Sequence, residues 1–85
     1  MINPFVQLYQ NEGVSLMAFC TKHELPIPTF KSLVSGQASG VSRNMRNILT
    51  QAGFDGNMLD INYQAWLNRR AEEEYRRVRG EVQNA

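Results

Sequence analysis

An all-α fold of about five helices, with a central helix-turn-helix and a longer C-terminal helix, is what this 85-residue sequence predicts. Two observations lead there. Apolar residues recur three and four apart through most of the chain, the spacing of one helix face, and no stretch alternates convincingly over strand length. Each periodic stretch is also bracketed by a residue that caps a helix start and by a glycine or proline that ends one. Length and composition agree. With 42% hydrophobic and 20% charged residues the chain reads as one globular domain, 1–85, in which 1–60 form the core and 61–85 the last helix. A domain this small buries a modest core and gains from a partner.

The elements follow in order. Asn3 caps a first helix whose first residue, Pro4, needs no amide hydrogen bond there; Phe5, Leu8 and Tyr9 share a face and Gly13 ends it. Ser15 caps a second helix reaching about His23, with Leu16, Phe19 and Cys20 at helical spacing. Pro26 and Pro28 forbid continuation, and Pro28 opens a third helix to Ser35, with Phe30, Leu33 and Val34 inward and Gly36 closing it. Ser42 opens a fourth, with Met45, Ile48, Leu49 and Ala52 in phase and Gly53 at its end. Asp55-Gly56-Asn57 reads as a turn. The fifth helix is expected to start near Asp60 or Asn62 and run to about Arg79, with Gly80 as its stop.

Charge is informative only by segment. The net charge is +1, which gives no bulk polycation. Between Val14 and Phe54, however, Lys22, Lys31, Arg43 and Arg46 face the single acid Glu24. From Arg69 to Arg79 the arginines alternate with Glu72, Glu73 and Glu74 and nearly cancel. One cysteine, Cys20, makes no intramolecular disulfide and reads as a small buried hydrophobe. His23 reads as an exposed residue beside Lys22. No apolar run suits a membrane helix and the N-terminus does not look like a signal peptide, so a cytoplasmic location is expected, without metal or cofactor. One His, one Cys and no phosphate-cradling glycine loop make up no catalytic constellation, so the expectation is not an enzyme.

About four residues separate the second and third helices, which forces a steep crossing with a small residue, Cys20, at the close approach. Phe19, Leu25, Phe30 and Leu33 fill the inner faces, and the third helix presents its first turn outward. The pattern Ser15, Phe19, Cys20, Leu25, Thr29, Phe30, Leu33, Gly36 resembles the Cro and lambda-repressor-type helix-turn-helix, over about half the chain, 14–54. One departure is Glu24, where that family usually has a turn glycine. The resemblance implies a sequence-specific, double-stranded-DNA-binding transcriptional regulator of phage, plasmid or bacterial type, a repressor acting as a dimer. It implies a reading head of Leu16, Ile27, Pro28, Thr29, Lys31 and Ser32 in the major groove. Phosphate contacts would come from Lys31, Ser35, Gln37, Ser39, Ser42, Arg43 and Asn44, with Ser15 also on the DNA-binding surface. The alternative is a protein–protein module, such as an antirepressor or assembly adaptor, docking a partner through Leu16, Ile27 and Pro28 without DNA.

The last helix opens with Tyr63, Trp66 and Leu67, an apolar group suited to the core. Ala71, Tyr75, Val78 and Val82 then mark a narrow stripe, supported by Glu72–Arg76 and Glu73–Arg77 pairs in the favourable order. Either the stripe, with Trp66 and Leu67, pairs with a second copy in a homodimer, or it folds back on its own domain.

Overall fold

The structure is a computed structural model that describes the backbone of residues 1–84 and the side chains of residues 1–79. Five helices follow one another: α1 Pro4–Asn11, α2 Leu16–His23, α3 Ile27–Ser35, α4 Arg43–Gln51 and α5 Gly56–Asn84. There is no strand among the described residues, and the fold is all-α.

The helix starts are set by side-chain caps. The amide of Phe5 donates to Asn3 Oδ1 at 2.8 Å, that of Ala18 to Ser15 Oγ at 3.2 Å and that of Met45 to Ser42 Oγ at 3.2 Å. Each satisfies an amide that the helix itself leaves without a partner. The stops are glycines in the left-handed region, Gly13, Gly36 and Gly53. Glu24 does the same at the end of α2 with φ 56° and ψ 45°, so the α2–α3 turn keeps a left-handed residue although its side chain is not glycine.

Two boundaries correct the sequence reading. Asp55-Gly56-Asn57 is not a free turn: Asp55 Oδ1 accepts the Met58 amide at 3.0 Å and caps α5, which starts at Gly56 instead of Asp60 or Asn62. At the other end α5 does not stop at Gly80 but continues to Asn84.

Aromatic rings join four of the helices and the α4–α5 connection into one core. Tyr63 of α5 meets Phe5 of α1 at 5.6 Å between centroids, Phe5 meets Phe30 of α3 at 5.6 Å, Phe30 meets Phe19 of α2 at 5.5 Å, and Phe19 meets Phe54 beyond α4 at 5.6 Å. Cys20, Leu25, Leu33, Val41, Met45 and Leu49 fill the space between them. Cys20 lies at the core as expected, and burial pushes its thiol pKa up, away from thiolate chemistry.

His23 is not the exposed residue expected. Its Nε2 lies 2.8 Å from Glu12 Oε2 and its ring sits against Phe19 and Phe54, with centroids 4.6 and 5.0 Å away. Lys22 reaches the other oxygen of Glu12 at 3.1 Å. The α1–α2 joint is thereby tied to α2's last turn.

The 29 residues of α5 span about 43 Å at 1.5 Å per residue. The molecule's long axis is 50 Å, and its radius of gyration, 15.0 Å, exceeds the ~12 Å of a compact chain of this length. The excess is the distal part of α5, where residues 71–79 are all exposed.

Candidate nucleic-acid interface

The head is built around the leading end of α3. That helix packs on α1 and α2, and neither α4 nor α5 packs along it. Its first turn is therefore uncovered. Pro28, Thr29 and Lys31 are exposed, while Ile27 and Ser32 are half-buried. Leu16 and Ile27 pack on the edge of the core, so only part of each side chain is offered outward.

Hydroxyl chemistry separates the serines. Ser32 Oγ donates to Pro28 O at 3.2 Å and Ser35 Oγ to Ser32 O at 3.2 Å, so both protons are spent on the helix's own carbonyls. Ser32 can then accept from a ligand but not donate to it. Ser15 and Ser42 use their oxygens as caps, which leaves their protons free to donate. Ser15, Ser39, Ser42, Arg43, Asn44 and Gln37 are exposed, and the last five lie in the α3–α4 loop and at the head of α4, beyond the trailing end of α3.

The cations divide in the same way. Lys22 is paired with Glu12 and Arg46 lies 3.7 Å from Asp60. Among the described residues Lys31 and Arg43 make no ion pair. The two cations of the head without an ion pair thus stand midway along α3 and at the first residue of α4.

Sequence reasoning missed what holds this surface in place. The trailing carbonyls of α3 are gripped from outside: Asn3 Nδ2 donates to Leu33 O at 2.9 Å and to Val34 O at 3.1 Å, and Arg70 Nη1 donates to Ser35 O at 3.3 Å. The α3–α4 loop is fastened by successive turns of α5. Tyr63 Oη donates to Ala38 O at 2.6 Å, Gln64 Nε2 to Ser39 O at 2.8 Å, and Asp60 Oδ1 accepts the Val41 amide at 3.1 Å. Burial pushes the Tyr63 phenol up against an opposing pull from Arg70, so it stays a donor across the ordinary pH range. Partners 19 to 35 residues apart leave no local signature; the only available hint was that Asp60, Tyr63 and Gln64 share one side of the helix.

Of the residues expected at a dimer contact, Trp66 and Leu67 are half-buried and pack against their own core, with Trp66 stacked on Tyr63 at 5.8 Å and under the Arg70 guanidinium at 5.3 Å. Ala71, Tyr75 and Val78 do not fold back; Tyr75 and Val78 are 62% and 53% exposed. Val82 lies outside the described side chains. The Glu72–Arg76 pair forms at 2.7 Å, but Glu73 turns the other way, to Arg69 at 3.2 Å, instead of pairing with Arg77.

Among the described residues no group of three or more His, Cys, Asp or Glu could hold a metal ion, and no helix is long and apolar enough to cross a membrane. No family model, curated protein or solved structure matches the chain.

Proposed function

We propose that this chain binds double-stranded DNA through the leading end of α3 and acts as a homodimeric transcriptional regulator of the repressor type. The observation that carries the reading is the open first turn of α3, in a segment whose only acid is Glu24 and whose Lys31 and Arg43 make no ion pair among the described residues. An α-helix end of this size enters a major groove, and exposed cations of the same face meet the phosphates.

Within that reading Thr29 supplies a polar contact to base edges, and Lys31 meets a phosphate. Ser32 accepts from cytosine or adenine amino groups, and Pro28 with the outer part of Ile27 meets thymine methyls. Ser15, Gln37, Ser39, Ser42, Arg43 and Asn44 hold the backbone. Ser35, whose hydroxyl and carbonyl are both engaged, serves the end of the helix instead of a phosphate. The adaptor reading is the weaker one, because Leu16 and Ile27 already pack on the core edge and leave less apolar surface for a partner.

A gel shift with mixed-sequence duplex at two salt concentrations tests the proposal. Binding should fall steeply with salt, and Lys31→Ala and Arg43→Ala should each lower the salt slope by about 1. Absent affinity at low salt, with a protein partner lost on Ile27→Asp, would favour the adaptor.

A further inference from the structure

We infer that the distal part of α5 is one half of a parallel, in-register pair of helices, and that its occupant is a second copy of this chain. The inference deepens the proposed two-headed DNA binding; it rests on that reading for its purpose but not for its geometry.

The helix has two faces with different work. Leu59, Tyr63, Trp66 and Leu67 lie toward the body. Ala71, Tyr75 and Val78 follow at spacings of four and three, the d, a and d positions of a heptad. At 100° per residue the centres of the two sets lie about 100° apart around the axis. Pairing on the second face therefore leaves the first on its own core. Among the described residues nothing covers the second face, since residues 71–79 are exposed.

Charge chooses the occupant and its direction. In this register Glu74 takes the g position and Arg79 the following e position, the two that flank the seam. In a parallel pair g of one helix meets the next e of the other, so Glu74 faces Arg79 of the second copy, twice by symmetry. Both charges are uncommitted among the described residues. Arg69–Glu73 and Glu72–Arg76 use their neighbours, whereas Glu74 and Arg79 make no ion pair among the described residues, and Arg79 rests only over the Tyr75 ring at 5.8 Å. An antiparallel pair would set g against g and e against e, placing Glu74 away from Arg79. The parallel arrangement also keeps both heads at the same end of the pair, as two half-sites on one duplex require.

The seam is short, so association is weak and concentration-dependent. Sedimentation or light scattering of the full chain without DNA, up to about 1 mM, reads it directly. A shift from monomer to dimer mass is expected, weakened on the order of tenfold by Glu74→Arg alone and by Arg79→Glu alone, and restored when both are present. Both positions are exposed, and circular dichroism establishes that each variant remains folded. A chain that stays monomeric throughout overturns the pairing. Strengthening by Glu74→Arg, or no rescue in the double variant, overturns the parallel register. Since no DNA is present, failure of the DNA-binding reading leaves these outcomes untouched, and the reverse holds as well.

Discussion

Asn3 makes three hydrogen bonds with a single amide: its oxygen caps α1 and its nitrogen holds two carbonyls at the end of α3. At 5% exposure, its lost partners would not be replaced by water. Asn3→Ala should cost about 2 kcal/mol in urea unfolding, from the lost cap and the lost bridge. Asn3→Asp is the sharper test. It keeps the cap but turns a carboxylate oxygen on two carbonyls, so it should be at least as damaging at neutral pH. If Asp is tolerated, the bridge contributes nothing. Glu24 presents the opposite case. Its left-handed backbone costs roughly 1–2 kcal/mol for an L side chain, and glycine returns roughly 0.5–1 kcal/mol of that as unfolded-state entropy. Glu24→Gly should therefore raise stability by about 0.5–1 kcal/mol. Glu12 sets an acid limit. Burial alone would push its carboxyl up, but the hydrogen bonds and charges of His23 and Lys22 outweigh that and hold it below its ordinary 4.5. A depressed folded pKa contributes stability that is present above 4.5 and lost as pH falls through the folded value. Glu12→Gln should flatten the pH dependence of the melting temperature in that acid window; an unchanged profile would sink the assignment.

At the scale of elements, Gly56 shows how packing overrides local chemistry. A Cβ there would lie against the backbone carbonyl of Arg46, so α5 can approach α4 this closely only with glycine. Alanine in a helix gains up to ~1 kcal/mol over glycine, whereas forced separation of packed backbones costs roughly 1–3 kcal/mol. Gly56→Ala should thus be destabilising on balance in thermal melts; a stabilised variant would mean that the close approach is unimportant. The same glycine explains why the start of α5 was illegible. Asp-Gly-Asn is as good a turn as a helix start, so the local cap that Asp55 gives the Met58 amide could not be told from turn chemistry. The other starts were legible because Asn3, Ser15 and Ser42 act on amides two or three residues away. The inner faces of α2 and α3 were legible from the periodicity of Phe19, Phe30 and Leu33. His23 was misread because its partners, Glu12 and Phe54, lie 11 and 31 positions away in the chain. The exposed part of the interface was readable as a list of side chains, but the clamps from Asn3, Asp60, Tyr63, Gln64 and Arg70 exist only once the helices meet.

For the whole molecule, one helix serves both ends of the proposed function. The near half of α5 fastens the α3–α4 loop, and its far half projects beyond the core, so joining two far halves would fix the distance between two heads. Charge makes that joining necessary for affinity. With Lys31 and Arg43 as the uncommitted cations of a head, and a salt exponent of about −0.9 per phosphate contact, one head should show a slope near −2 and a pair near −4. A duplex carrying two half-sites about one helical turn apart should therefore be bound with roughly twice the salt slope of a duplex carrying one. Val78→Asp places a charge in the seam without touching the core, since Val78 is already 53% exposed. It should reduce the paired-site slope to the single-site value while leaving the melting temperature of the monomer unchanged. Were the two duplexes bound alike by the unaltered chain, the heads would be acting singly and α5 would have no part in spacing them. Were Val78→Asp to keep the doubled slope, the heads would be joined through some other surface, and the exposed stripe of α5 would need a different explanation.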